Sequence, residues 1–117
     1  MKYFTSDLHL GEDRIGIDNK PNLFYRPFNS IDEQNIVILN NLQRLNNNDE
    51  LYIIGDVVYD FDYLNLLDEI PTCKKYLIIG NYDKNNIGKL VPYFNVIRHN
   101  MTIKLGDKTV ELNHYPI

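Results

Sequence analysis

The chain has 117 residues, of which 44% are hydrophobic and 24% charged, a balance typical of one globular domain with no room for a second. The formal net charge of −4 argues against a general binder of nucleic acids or membrane surfaces. The single cysteine, Cys73, excludes an internal disulfide and a cysteine-based zinc site, and it favours a reducing, cytoplasmic location. The apolar runs are too short to span a bilayer, and the first residues lack the apolar segment of a signal peptide.

Three short apolar segments, rich in aromatic and β-branched residues, predict strands over residues 2–5, 51–54 and 75–79. Their hydrophobicity is nearly continuous, as in strands that are buried on both faces. Helical patterns separate them, and the resulting order of strand, helix, strand, helix and strand favours a parallel sheet with right-handed crossovers.

The helical patterns have recognisable ends. Ser30 and Glu33 form a capping box, and apolar residues at helical spacing predict a helix from residue 31 to about residue 46. Two shorter helices are predicted over residues 62–69 and 85–91, each stopped by a proline that follows closely.

The last part of the chain has a different pattern. Residues 95–97 predict a short strand, and residues 101–105 and 108–112 alternate apolar and polar side chains. Gly106 and Asp107 between them predict a hairpin with a type II′ turn. We therefore expect an α/β fold whose sheet is mixed, with its antiparallel part at the C-terminal end.

Polar side chains that suit metal binding or acid–base chemistry follow four of the predicted strands. In chain order they are Asp7, His9, Asp56, Asn81, Asp83 and His114. Because the carboxyl ends of parallel strands meet at one edge of an open sheet, we expect Asp7, His9, Asp56 and Asn81 to converge there. His114 joins them if its antiparallel strand ends at the same edge.

The chemistry of this set favours a metal site. Carboxylate, amide and imidazole ligands suit Mn²⁺, Fe or Zn²⁺ better than Ca²⁺, and a central carboxylate such as Asp56 can bridge two metals that act on a phosphate. Each signal alone also has an ordinary interpretation: Asp-x-His occurs by chance, Gly-Asp and Gly-Asn occur in turns, and His114 fits a half-buried histidine. The ordered combination is what favours metal binding.

These motifs, taken in order, resemble those of the calcineurin-like metallophosphoesterases. The family has Asp-x-His, Gly-Asp, Gly-Asn-His-Asp/Glu and a later histidine, where this chain has Asp7-Leu8-His9, Gly55-Asp56, Gly80-Asn81-Tyr82-Asp83 and His114. The segment Arg26-Pro27-Phe28 is similar to small bacterial and phage members. The resemblance covers nearly all of the single domain over residues 1–117. It implies a four-layer sandwich of two β-sheets flanked by helices, and hydrolysis of phosphomonoesters or phosphodiesters by a metal-bound hydroxide.

The resemblance also implies a set of metal ligands. One divalent ion would be bound by Asp7, His9 and Asp56. A second would be bound by Asp56, Asn81 and His114, with Asp56 as the bridge.

The catalytic candidates are Tyr82 and Asp83, which stand in the third motif of the resemblance, and Arg26, which lies in the long loop before the first helix. Tyr82 stands where the family usually has a histidine; tyrosine stays a neutral donor at neutral pH, so it can bond to a phosphate oxygen but is a poor general acid. The guanidinium of Arg26 suits a bidentate phosphate contact, and a solvated surface arginine is the alternative.

The chain stops before the family's final Gly-His-x-His motif, which leaves three protein ligands for each metal and a β-sheet edge without cover. A truncated product, a homodimer or partner chain that covers the edge, and a catalytically degenerate binding module all fit this departure. The expected partner is a phosphate-ester substrate, with nucleic acid only as a substrate and no membrane. A metal-free sugar- or nucleotide-binding domain is disfavoured, because no glycine-rich phosphate loop is present.

Overall fold

The computed structural model describes residues 1–11, 30–81 and 83–114. Four strands form one parallel sheet in the order in which they occur along the chain. They are β1 Lys2–Thr5, β2 Glu50–Ile54, β3 Lys74–Ile78 and β4 Val96–Arg98. The strands predicted from sequence are confirmed, with ends that differ by at most one residue.

The first helix, α1, spans Ile31–Leu42 and begins as predicted. The Ser30 hydroxyl accepts a hydrogen bond from the Glu33 N–H at 3.0 Å, which satisfies one of the free donors at the helix start. The helix ends about four residues earlier than predicted, because the polar loop before β2 bonds to its own backbone: Asp49 accepts from the Asn46 N–H at 2.9 Å. Leu45 lies beyond the helix and is still buried, which explains why the apolar spacing extends past the helix end.

The predicted helix over residues 62–69 is present as a 3₁₀ helix, Phe61–Glu69. The predicted helix over residues 85–91 is instead divided between α2, Ile87–Leu90, and a 3₁₀ turn, Val91–Tyr93. Pro92 lies inside that turn and does not end the helical segment before it. The first positions of a helical turn tolerate a residue without an N–H. No helix in the described segments is long and apolar enough to cross a membrane.

The C-terminal hairpin joins β5, Met101–Leu105, to β6, Lys108–Leu112. Gly106 has a φ of +66° and Asp107 is not among the residues with positive φ, as a type II′ turn requires. The expectation of one mixed sheet is wrong: the hairpin forms its own two-stranded antiparallel sheet, separate from the parallel one. The reason is that the hairpin packs against the face of the parallel sheet through its side chains instead of extending the sheet at an edge.

The middle of the parallel sheet, in β2 and the end of β3, has buried side chains on both faces, since successive side chains of a strand point to opposite sides. Leu51, Ile53 and Leu77 pack with the apolar residues of the helices in one core. Tyr52 and Ile78 pack on the opposite side in a second core, which includes Leu112 of the hairpin. The described residues thus form three layers, and this explains the nearly continuous hydrophobicity of the central strands.

Candidate metal centre

The loops that follow β1 and β2 run side by side beyond the ends of the strands. The Asp7 N–H donates to the Gly55 carbonyl at 2.9 Å, and the His9 N–H donates to the Asp56 carbonyl at 3.0 Å. Asp7, His9 and Asp56 have φ values of 53°, 47° and 55°, and they are all the non-glycine residues with positive φ in the described part of the chain. Each such backbone conformation costs about 1 kcal/mol, and such strain concentrates at functional sites.

Two imidazoles converge on one carboxylate oxygen at this edge of the sheet. Asp56 Oδ2 lies 3.4 Å from His9 Nε2 and 3.3 Å from His114 Nε2. His9 Nε2 also lies 3.6 Å from Asp7 Oδ1. Asp56 is buried and Asp7 is exposed, so the group extends from the interior to the protein surface.

The His114 ring is held by the backbone of β2. Its Nδ1 lies 3.0 Å from the Ile54 carbonyl oxygen, and because a carbonyl only accepts hydrogen bonds, Nδ1 must carry the proton. In the neutral ring, Nε2 then has the lone pair and faces Asp56. A histidine that binds a metal through one nitrogen usually donates the other N–H to a carbonyl or carboxylate in this way.

Gly55 makes room for that ring. Its φ is +81°, and a Cβ atom at this position would collide with the His114 imidazole. The glycine of the Gly-Asp motif is therefore required both by the backbone conformation and by the close approach of the His114 side chain.

Asp83 holds the loops after β2 and β3 together. Its Oδ2 accepts the N–H groups of Asp56 and Gly80, both at 2.8 Å, and its Oδ1 accepts the Val57 N–H at 3.1 Å. The side chain is fully buried. The motif predicts a catalytic role for Asp83, but these contacts are those of a positioning residue, since main-chain N–H groups donate to both of its carboxylate oxygens.

Asp7, Asp56 and His114 could hold a metal ion, because each offers one ligand atom and these atoms all lie within 4.8 Å of one another. This group takes members from both of the ligand sets that the resemblance implies. His9 adjoins it through Asp56. Two carboxylates and two imidazoles are a donor set that fits Mn²⁺, Fe or Zn²⁺.

The remaining candidate site residues are Asn81, Arg26 and Tyr82. Asn81 is exposed and directly follows Gly80, whose backbone lies close enough to Asp56 that an added Cβ would be 2.5 Å from Oδ1. Its role as a ligand stays a prediction. Arg26 and Tyr82 lie outside the described residues.

One contributor to the centre has no signal in the sequence. The Ile54 carbonyl orients His114, and every residue has such a group, so only the fold identifies it. None of the protein-family models, curated proteins or solved structures compared with the chain matches it. The functional assignment therefore depends on the geometry of the site and on the motifs.

Proposed function

We propose that the protein is a metal-dependent phosphoesterase that hydrolyses phosphomonoesters or phosphodiesters. The observation that supports this most strongly is the convergence of His9 Nε2 and His114 Nε2 on Asp56 Oδ2, at 3.4 Å and 3.3 Å. The site lies at the carboxyl edge of a parallel sheet, where α/β proteins commonly bind ligands. The proposed fold is an incomplete four-layer sandwich, and the proposed location is the cytoplasm.

The proposed ligands of one or two divalent ions, Mn²⁺, Fe or Zn²⁺, are Asp7, His9, Asp56, Asn81 and His114. Such ions supply positive charge opposite the phosphate and an activated water. In the hydrolysis, water adds to phosphorus, the P–O ester bond breaks and the departing alcohol takes a proton. Asp56 is the central ligand, since both imidazoles face it.

Residues around the ligands have supporting roles in this proposal. The Ile54 carbonyl keeps His114 in the tautomer whose Nε2 can bind a metal, and Asp83 fixes the backbone of Asp56. Tyr82 and Arg26 are proposed to steady the phosphate, Tyr82 as a neutral hydrogen-bond donor and Arg26 through its guanidinium.

The test is hydrolysis of bis-p-nitrophenyl phosphate by the purified chain with added Mn²⁺. Changing Asp56→Asn removes the central carboxylate, and we expect at least about a 100-fold loss of turnover, since even outer partners of metal ligands are worth 10–100-fold. Asp68→Asn makes the same chemical change on an exposed residue of the Phe61–Glu69 helix and should leave turnover unchanged.

Undiminished turnover in Asp56→Asn would contradict the proposal. The proposal would also be contradicted if the folded wild-type chain failed to hydrolyse the ester with each of Mn²⁺, Fe²⁺ and Zn²⁺. That second result would favour a catalytically degenerate binding module.

A further inference from the structure

A cleft of about 320 Å³ adjoins the candidate metal centre. Asp7 and His114 of the centre line it, together with Phe4, Thr5, Ser6 and Asn113. Its volume lies within the range of about 300–1,000 Å³ that is typical of small-molecule sites. A substrate whose phosphate lies at the metal centre would therefore have room for its other part beside Phe4.

Phe4 is a rigid aromatic surface in this cleft. Its ring stacks on Tyr52 with centroids 5.1 Å apart, and Tyr52 stacks on Tyr76 with centroids 4.3 Å apart. Tyr52 is only 3% exposed, whereas Phe4 is 41% exposed. The exposed Phe4 ring thus stacks on a buried core ring, which supports it on one face before any ligand binds.

The polar groups of the cleft indicate what kind of ring would stack there. The hydroxyls of Thr5 and Ser6 and the amide of Asn113 can all donate and accept hydrogen bonds. A nucleobase and its ribose present several hydrogen-bonding groups around a planar ring. A simple phenyl ring presents none, so it would not use these side chains.

We propose that the cleft binds the base of a nucleotide ester, stacked on Phe4, while the phosphate lies at the metal centre. This substrate class rests on the phosphoesterase function proposed above. Stacking of a base on an aromatic side chain tolerates all four bases, so the site selects nucleotides as a class.

The test uses adenosine, which has no ester to hydrolyse, with ribose as the probe that lacks the base. Each is titrated into the chelator-treated chain while the Phe4 ring protons are followed by NMR. Adenosine should shift these signals upfield and bind at least about 10-fold more tightly than ribose, as expected for one base–aromatic stack. A phenyl C-riboside, which has a benzene ring in place of the base, should bind more weakly than adenosine, because that ring has no hydrogen-bonding groups.

Three variants separate stacking from general effects on the strand. Phe4→Leu should lower adenosine affinity about 10-fold, and Phe4→Tyr should retain it, because tyrosine keeps the ring. Tyr3→Leu is the matched control, since Tyr3 is a similarly exposed aromatic, at 40%, on the opposite face of β1. Its adenosine affinity should equal that of the wild type.

Equal affinity for adenosine and ribose would overturn the inference, as would equal losses in Phe4→Leu and Tyr3→Leu. Binding of the phenyl C-riboside as tight as that of adenosine would overturn the choice of a base over a phenyl ring. Any of these results alongside Asp56-dependent hydrolysis would leave the phosphoesterase proposal standing. Adenosine binding without hydrolysis would contradict the proposed function and, with it, the assignment of nucleotide esters as substrates.

Discussion

At the scale of single residues, the geometry of the candidate metal centre depends on a glycine, which has no side chain. Gly55 directly precedes Asp56 and lies against the His114 ring, so any Cβ there would displace the ring of a proposed ligand. Gly106 also has a positive φ, but an added Cβ would meet nothing within 4 Å. Substitutions at Gly106 would therefore measure backbone strain alone, whereas substitutions at Gly55 would combine backbone strain with displacement of the His114 ring.

We expect Gly55→Ala to lower the affinity for Zn²⁺ at least about 10-fold, because His114 cannot keep its place over the new methyl group. Gly106→Ala should reduce stability by about 1 kcal/mol through backbone strain and leave Zn²⁺ affinity unchanged. Calorimetric titration of both variants with Zn²⁺ measures the difference. Equal affinities in Gly55→Ala and the wild type would show that His114 is not a ligand.

At the scale of secondary-structure elements, β1 and β2 are joined by a charged pair as well as by their backbones. Lys2 and Glu50 are register partners on adjacent strands, and Lys2 Nζ lies 3.0 Å from Glu50 Oε1. The Tyr52 hydroxyl donates to Glu50 Oε2 at 3.0 Å. The hydrogen bond from Lys2 is the main reason why the pKa of Glu50 is lowered in the folded chain. Burial raises the pKa of Tyr52, so its hydroxyl stays protonated and can donate to Glu50.

This pair predicts a pH dependence of stability. The pKa of Glu50 is lower in the folded chain than its ordinary value of 4.5. The ionised side chain therefore adds to the free energy of unfolding above pH 4.5, and this stabilisation is lost as the pH falls through the lowered pKa of the folded chain. The free energy of unfolding of the wild type should therefore exceed that of Glu50→Gln at about pH 6, and the difference should shrink towards about pH 3. Urea unfolding at both pH values measures it.

In a Lys2→Gln background, most of that pH-dependent difference should disappear, because Lys2 is the main cause of the shift. A difference that stays the same at the two pH values would contradict the role given to Glu50.

At the scale of the whole molecule, the packing of the hairpin on the parallel sheet brings His114 to the candidate metal centre. Leu112, at the end of β6, is buried against Tyr52 and Ile78, and His114 follows two residues later. Within the described part of the chain, no pairing between strands joins the two sheets. The side-chain packing between these layers therefore sets the position of His114, a proposed ligand.

We expect Leu112→Ala to reduce stability by about 3 kcal/mol, as other losses of buried leucine side chains do, and to weaken Zn²⁺ binding as well. Leu105→Ala changes a leucine at the other end of the hairpin that is 40% exposed, so it should cost less than about 1 kcal/mol and leave Zn²⁺ binding unchanged. Urea unfolding in a chelator, with a separate Zn²⁺ titration, measures both effects. Unchanged Zn²⁺ affinity in Leu112→Ala would contradict the link between layer packing and the site.

The sequence predicts the strands and the hairpin to within one residue because these elements depend on local patterns: apolar runs and a glycine-led turn. It also predicts that Asp7, His9 and Asp56 come together, since topology alone places the ends of parallel strands at one edge. It does not predict that the hairpin forms a separate sheet, because that depends on which face its side chains pack against.

The role of Asp83 and the grouping of Asp7 with His114 cannot be predicted from sequence either, because both depend on contacts between distant segments. Asp83 follows the Gly-Asn motif and is therefore easily grouped with catalytic residues, yet its three backbone contacts depend on the close approach of the loops after β2 and β3. The pairing of Asp7 with His114 in one ligand group depends on how the hairpin lies over the parallel sheet. Such contacts between distant segments have no local signal.

The central claim is that Asp7, Asp56 and His114 hold a divalent metal ion. The most direct test is equilibrium dialysis of the chain against Mn²⁺ and Zn²⁺, followed by measurement of the metal bound per chain, for the wild type, Asp56→Asn and Asp68→Asn. We expect at least one ion per chain in the wild type and in Asp68→Asn, and a large loss in Asp56→Asn, since Asp56 faces both imidazoles. Equal occupancy in Asp56→Asn and the wild type, or no bound metal in the wild type, would contradict the claim.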